Sequence, residues 1–593
     1  MIKYSYLSAG GVKEIMIKNN ILLKNIKKTW PYIKECKGNL ISYAIVSIIE
    51  GFLGAALPLF TAKIILNITD ALISQLILSA ILVLIIQLVL YIVYFFKSFF
   101  YQKIYQKTLV NLQIAIAKET LKLEVKELDK AGSGLFIDRL NKDTQDISSM
   151  FMEYAFWTSY VISNIGVLFA IFILNKYLFL YAIIMSISIF LINKKRLNKQ
   201  YEIQKNVKKL QETKTGLTGE LVRGIRDLKV LNASNTILKK TSLKIIETSN
   251  EEVKMLRVKN FYSYIENNVR SISNFLFILL GCYLYINKLL TIPTFVIIYN
   301  YQTRIENLLL GVAQLLEYNK KFIVASNRIF EIMNNNIFEK EKFGKIKIKK
   351  LNGNIEFSNV NFSYNKLNTL IKNMSFKINA NQKVAFVGKS GAGKTTIFNL
   401  ISRLYQIDSG KILLDNHNIN DLSCDSIRNN MSIITQNPYI FNFSVRDNLS
   451  LAKKDATMKE IRKACKLACI DEYIMSLPNQ YDTVIGENGV ILSGGQKQRL
   501  AIARALLTET EIILFDEATS ALDNKTQSEI QNAINNLHGK YTILIIAHRL
   551  STIIDCDKIF VIDDGKVIAS GTHKELLNKS DFYKMLYESD LKK

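Results

Sequence analysis

The richest chemistry in this sequence lies between an apolar run and an apolar helix. Val384-Ala385-Phe386-Val387 reads as a buried strand and leads into Gly388, Lys389, Ser390, Gly391, Ala392, Gly393, Lys394, Thr395 and Thr396, after which apolar residues recur at helical spacing. A strand, a glycine-rich turn, a lysine followed by a hydroxyl residue and then a helix make a phosphate-binding loop. The glycines let successive backbone N–H groups turn inward, and the helix N-terminus adds partial positive charge. Lys394 is placed for the β- and γ-phosphates of a nucleoside triphosphate, and the Thr395 hydroxyl for Mg²⁺. The other half of such a magnesium site is an aspartate ending a buried strand, which Ile512-Ile513-Leu514-Phe515-Asp516 supplies. Glu517 comes next, and the pleat turns it to the opposite side. There it suits a general base or a group orienting the water that attacks the γ-phosphate. An Asp-Glu pair at a strand end is elsewhere often a mere turn; the phosphate loop gives this one its chemical context.

These residues need a scaffold, and from about residue 345 the sequence provides one. Short apolar strands, glycine turns and amphipathic helices alternate there, the pattern of an α/β domain with a largely parallel sheet. The region before it differs. The chain has 593 residues, 49% of them apolar, and a formal charge of +26, too hydrophobic and too charged for one soluble core. Its apolar content excludes intrinsic disorder, and only 5 prolines exclude a Pro-rich architecture. Nearly all the surplus charge falls in the first 350 residues, which also hold the long apolar runs, so it points to membrane topology and away from nucleic acid. The 6 cysteines, at positions 36, 282, 424, 465, 469 and 556, form no disulfide framework and no Cys-x-x-Cys metal spacing. They imply a reducing compartment, and Cys465 and Cys469 read as small buried hydrophobes.

Six apolar segments, 38–66, 74–96, 153–174, 177–193, 268–287 and 291–314, approach the ~20 residues that a spanning helix needs. The fourth is short and the sixth is interrupted by polar residues. The connection Asn67–Ser74 lacks Lys and Arg, and the turns after the third and before the sixth segment hold only Lys176 and Lys288. Eight lysines precede Ile41, and the long segments 97–147 and 194–267 are basic. The positive-inside rule places these and both termini in the cytoplasm. The leader has no short apolar core followed by a cleavage site, so the first span is expected to serve as the address. The two long loops read as helical stalks, each with a break, at 131–140 and at 218–226. They end either in short transverse helices or in plain helical hairpins.

Ser493-Gly494-Gly495-Gln496, followed by Lys497-Gln498-Arg499-Leu500-Ala501-Ile502-Ala503-Arg504-Ala505-Leu506, resembles the signature sequence of ATP-binding cassette (ABC) transporters. Other family elements stand in order. Tyr364 resembles the adenine-stacking tyrosine, Gln436 the Q-loop glutamine, 520–523 the D-loop and His548 the switch histidine, while 483–489 resembles a loop characteristic of exporters. The resemblance covers the whole chain as half of a type IV ABC exporter. It implies an all-α six-helix transmembrane domain with long cytoplasmic extensions, joined to an α/β P-loop ATPase domain. The expected divisions are a leader 1–37, a transmembrane domain 38–330, a linker 331–350 and a cassette 351–593.

By this resemblance Lys394, Gln436, Glu517 and His548 carry hydrolysis, ATP and Mg²⁺ are the cofactors, and Thr395, Gln436 and Asp516 hold the metal. Tyr364 offers a flat face to adenine, with a core aromatic as the bland alternative; for His548 the alternative is core packing. ATP would lie between one subunit's phosphate loop and the other's Ser493 and Gly495, so a dimer is implied. A homodimer is favoured, since the hydrolytic set and signature are complete, with a paralogous half-transporter as the other possible partner. The expected function is ATP-driven export of a drug, lipid or peptide across a bacterial plasma membrane. The alternative is use of the scaffold as a channel, regulator or sensor. Within the sixth segment Asn300, Arg304, Asn307, Gly311 and Gln314 form one polar or small stripe, read as a cavity wall or as helix packing. Glu50 and Glu306 are the candidate partners of Arg304.

Overall fold

The computed structural model describes residues 21–593, leaving aside 70–71, 335–336, 366–367, 488, 517–527, 529–530, 532–533, 536, 548–552 and 592–593. The chain divides into two compact units, Met1–Lys122 with Ala131–Phe338, and Leu123–Lys130 with Glu339–Lys593. Up to residue 333 the principal helices are α1 (Lys37–Thr69), α2 (Ile73–Thr120), α3 (Val125–Ala131), α4 (Ser133–Asp138), α5 (Thr144–Leu174), α6 (Lys176–Arg223), α7 (Ile225–Val230), α8 (Ser234–Ile286) and α9 (Ile292–Met333).

The first unit is helical, and helix length carries its logic. α2 and α6 have 48 residues each and α8 has 53. At ~1.5 Å per residue these helices run for about 70–80 Å, more than twice the ~30 Å hydrocarbon core of a bilayer. The apolar half of each therefore matches a membrane, and the lysine-rich half continues as a stalk. Among the described residues, four helical stretches are long and apolar enough to cross a membrane: Lys34–Ile68, Ile73–Thr120, Lys176–Val222 and Ser234–Ile286. The fourth span, short as an apolar run, is thus part of a long continuous helix. α5 and α9, with 31 and 42 residues, complete the six long helices. Turn chemistry separates them. Asn175 caps α6 by accepting from the N–H groups of Tyr177 and Leu178 at 3.0 and 3.1 Å, and Thr291 caps α9.

Both loop breaks carry short helices, and each break falls inside the range the sequence suggested, at Gly132 and at Gly224. In the first loop α3 lies ahead of the break. Gly132, at φ 74°, ends that helix. The residues beyond Gly132 form α4, a π-helical turn Arg139–Asp143 and then α5, so they are the base of the third span. In the second loop Gly224 separates α6 from α7. The π turn carries buried charge. Arg139 pairs with Glu331 at 2.7 Å, and Arg328 with Asp138 at 2.9 Å and Asp143 at 3.1 Å, fastening the C-terminal part of α9 to the base of α5. Closer to the membrane, Lys97 of α2 pairs with Glu50 of α1, with its ammonium 5.0 Å from the Phe156 ring centroid and 5.8 Å from that of Tyr43.

The second unit holds two sheets. β1 (Ile355–Phe362), β2 (Ile371–Ile378), β4 (Ser409–Leu414) and β5 (His417–Asn418) form an antiparallel sheet in the order β2-β1-β4-β5. β3 (Lys383–Val387), β6 (Met431–Ile434), β7 (Ile512–Asp516), β8 (Thr542–Ile546), β9 (Lys558–Asp563) and β10 (Lys566–Gly571) form the other, in the order β10-β9-β3-β8-β7-β6. All its neighbours are parallel except β10 with β9. β3, β7 and β8 are buried throughout, which explains their unbroken apolar runs. Lys383, Asp516 and Thr542 are the polar residues at the ends of these strands, and the Lys383 ammonium donates to Asn535 at 2.8 Å.

Candidate nucleotide site

Parallel strands present ligands at their carboxyl ends, and here β3 and β7 end on either side of β8. Ile546 of β8 pairs with both Phe386 and Asp516, which aligns the phosphate loop with the acidic strand end. The loop runs from Gly388 into α10 (Lys394–Ile401). Gly388 cannot be another residue without displacement, because a Cβ there would stand 2.1 Å from the Ile562 carbonyl oxygen. Gly393 has φ 98°, in the left-handed region, and turns the chain into the helix.

Lys394 is buried, and its ammonium donates to the carbonyl oxygens of Gly388 and Lys389 at 2.9 and 3.0 Å. The side chain thus curls over the loop, within reach of phosphates seated on it. The Thr395 hydroxyl donates to Asp516 Oδ1 at 3.2 Å. These two hard oxygen donors suit Mg²⁺, an ion usually held by one or two carboxylates together with substrate phosphates. Lys389 is used differently from Lys394. Its ammonium lies 5.3 Å from the Phe582 ring centroid, on the C-terminal helix Asp581–Leu591, so its part in the loop is carried by its backbone. Ser390, Gly391 and Ala392 complete the turn, and Thr396 lies buried in the first turn of α10. Tyr364 reaches that turn, its hydroxyl 3.2 Å from Thr396 Oγ1, while 36% of its surface remains exposed.

The signature residues begin α11 (Gly494–Leu507). Ser493 caps it, accepting from the Gln496 N–H at 3.3 Å, and Gln496 Oε1 accepts from the Ser493 N–H at 2.8 Å. This reciprocal box leaves the N–H groups of Gly494 and Gly495 at a 14-residue helix N-terminus, a setting for anions. Two residues within this helix tie it to the Gln436 segment, which sequence reasoning did not single out. Gln498 Nε2 donates to the Gln436 carbonyl oxygen at 3.2 Å, and Arg504 donates to the Tyr439 and Asn448 carbonyl oxygens, both at 2.9 Å. Their signal was available: both are polar positions among the buried Ala, Ile and Leu of that helix. The Gln436 side chain is exposed. Glu517, His548 and residues 520–523 lie outside the described residues.

Within the stripe on α9, Arg304 and Gly311 pack against neighbouring helices, whereas Asn300 and Gln314 are exposed. Arg304 donates to the Gly54 carbonyl oxygen at 2.7 Å and to Asn164 Oδ1 at 3.3 Å, joining α9 to α1 and α5. Glu50 is engaged by Lys97, so it is not the partner of Arg304; the side chains of Glu306 and Asn307 lie outside the described residues. Gly311 is covered by Trp157, whose ring would be 2.0 Å from an added Cβ. Asn300 is exposed and bonds its own helix at the Val296 carbonyl oxygen. Arg304→Ala should therefore lower stability by about 2 kcal/mol, the scale of hydrogen bonds from a charged donor. Thermal unfolding in lipid nanodiscs reads this, and adding Glu50→Ala should not restore the loss. An unchanged unfolding midpoint for Arg304→Ala would contradict the packing role.

Comparison with known proteins agrees with both units. The family profile described as ABC transporter transmembrane region matches residues 40–306, and that described as ABC transporter matches residues 371–520. The chain is 30% identical over 594 residues to an ATP-dependent lipid A-core flippase of Photobacterium profundum, covering 95% of this chain and 97% of that one. It is 38% identical over 324 residues to a putative multidrug export ATP-binding/permease protein, YgaD, of Bacillus subtilis (strain 168), covering 54% of this chain and 56% of the relative. In fold it is similar to a bacterial Atm1-family ABC exporter solved with ATP bound, with a TM-score of 0.82 at 23% identity, over 93% of this chain and 98% of that one.

Proposed function

Given that the chain belongs to the ABC transporter family, as an exporter half-transporter that couples ATP hydrolysis to transport, we propose that two copies of it export an amphipathic or hydrophobic substrate across a bacterial plasma membrane. The observation that carries this reading is the joining, in one chain, of an assembled phosphate loop with six long helices. Within the site, Lys394 exchanges its loop carbonyl partners for the β- and γ-phosphates of ATP. Thr395, Asp516 and Gln436 would hold Mg²⁺, which neutralises phosphate charge when bound. Glu517 orients the attacking water and His548 contacts the γ-phosphate. Ser493, Gly494 and Gly495 of a second copy close the site from the other side. The Ser493 hydroxyl already accepts the capping bond and retains a proton to donate to a phosphate oxygen.

Alternating access needs differential binding: ATP favours the closed dimer, and substrate the inward-facing state. The relatives, a lipid A-core flippase and a putative multidrug exporter, support an amphipathic substrate, lipid or drug, with amphipathic peptides in the same chemical class. Reconstitution into proteoliposomes tests the proposal, with ATPase rate and ATP-dependent movement of labelled lipid, drug and peptide probes followed side by side. At least one probe should stimulate hydrolysis and move only with ATP. Brisk hydrolysis with no movement of any class would overturn the export reading.

A further inference from the structure

Tyr364 does not stand alone beside the phosphate loop. Its ring packs edge to face on Phe362 and Tyr405, with centroids 4.8 and 5.0 Å apart. Its hydroxyl accepts from Asn399 Nδ2 at 3.2 Å and meets Thr396, so two of its contacts lie on α10, the helix that begins at Lys394. Tyr405, just beyond the end of that helix, donates its hydroxyl to Asp129 of α3. Burial, and then the Asp129 carboxylate, hold this hydroxyl above the ordinary tyrosine range, so it remains a proton donor. The adjacent Gln406 donates from Nε2 to Glu124 Oε1 at 2.7 Å. The Glu124 N–H donates to the Glu339 carbonyl oxygen at 3.0 Å, and Leu123 bridges to Lys340. Consecutive side chains, 405 and 406, therefore fasten a segment that belongs by sequence to the first cytoplasmic loop.

We propose that Tyr405 is a positioning residue through which a purine stacked on Tyr364 tightens the hold on Leu123–Lys130, so that this loop senses the base separately from the phosphates. The proposal rests on Tyr364 being the base platform. A base on the exposed face of Tyr364 fixes that ring, and the ring packed against it loses rotamer freedom in turn. The Tyr405–Asp129 hydrogen bond then forms with less ordering left to pay. Phosphates act through Lys394 and the loop at the start of α10, whereas Tyr405 lies beyond the end of that helix, so the input through the Tyr364–Tyr405 ring contact reaches the segment by a route of its own. Asp129 is exposed, which makes its bond to Tyr405 readily exchanged with water unless Tyr405 is held in place.

Amide hydrogen exchange of residues 124–131 in the full-length protein in nanodiscs tests this. Saturating β,γ-imido ATP is compared with the same analogue of CTP, with tripolyphosphate and with no nucleotide. The adenine analogue should slow exchange about five-fold beyond tripolyphosphate, the scale of one hydrogen bond, with CTP between them. Tyr405→Phe keeps the ring and loses the hydroxyl. It should remove the adenine-specific slowing while affinity for trinitrophenyl-ATP stays within about two-fold. Asp129→Asn keeps an acceptor and should retain most of the slowing; Asp129→Ala, at an exposed position that does not endanger folding, should lose it. Adenine-specific slowing that persists in both Tyr405→Phe and Asp129→Ala would overturn the proposal. So would an equal rise in exchange in every state, including the nucleotide-free one, which marks a purely structural contact. Tyr364→Ala separates the underlying premise: if it binds the adenine analogue as tightly as wild type, the base platform itself is wrong.

Discussion

Lys394→Ala should lose nucleotide binding and hydrolysis together, whereas Glu517→Gln should keep binding and lose only hydrolysis. The distinction follows from where each side chain acts. The Lys394 ammonium is a buried cation that now bonds loop carbonyl oxygens. Phosphates replace weak dipolar partners with full negative charge, so most of its interaction energy appears on binding. Removing it should reduce ATP affinity and turnover by about 100-fold or more. Glu517, the residue after Asp516, is assigned from the sequence to the attacking water and not to the phosphates. Glu517→Gln keeps its size and hydrogen-bonding capacity while abolishing its basicity. Turnover should fall by about 100-fold or more at near-native ATP affinity, and the ATP-bound closed dimer should accumulate. Trinitrophenyl-ATP binding, phosphate release and size-exclusion mass measurement on the purified variants separate the cases. Near-wild-type turnover in Glu517→Gln would remove that assignment.

The second large effect is expected in the membrane unit. Lys97 is a strongly buried cation, with its side chain 10% exposed against 33% for Glu50. Lys97 lies 24 residues into α2, about 36 Å along the helix, a length that puts it near one border of a ~30 Å hydrocarbon core. Lys97→Met would leave Glu50 facing two aromatic rings in place of its cation, and should cost about 3 kcal/mol. Glu50→Gln should cost less, because the ring faces still attract the ammonium and a lysine stem can extend toward water. The double variant should recover much of the loss. Chemical unfolding in detergent micelles ranks the three, and equal costs for the two single changes, with no recovery in the double, would show that the pair is not energetically coupled.

What the sequence made legible, and what it did not, divides by the range of the interaction. The phosphate loop, β7 with Asp516 and the Ser493 cap are local patterns, and local steric and hydrogen-bonding rules determine them. The six long helices follow from runs of apolar residues that no other solvent accommodates. The break of the first loop is legible at Gly132, but a glycine in sequence does not say that a short helix stands on each side of it, α3 before and α4 after. The partner of Arg304 was missed for a different reason. Glu50 is nearer in type, but Lys97 takes it, and the competition between two cations for one carboxylate is decided by helix packing. Gln498 and Arg504 show in sequence only as polar positions in an apolar helix and Tyr405 not even as that, because the partners of all three are far along the chain and belong to no shared period.

The placement of residues 123–130 has a consequence for anyone who would cut this chain in two. A fragment beginning at Glu339 contains every nucleotide motif, yet it is not the whole of the second unit. It would leave Tyr405 and Gln406 without their acceptors and strip Lys340 of the bridge to Leu123, a side chain only 3% exposed in the intact protein. Such a fragment should be prone to self-association and poorer in cooperativity on melting. Covalently restoring the eight missing residues through a short flexible tether should return both properties, so the genetic boundary of the ATPase is best drawn as two segments.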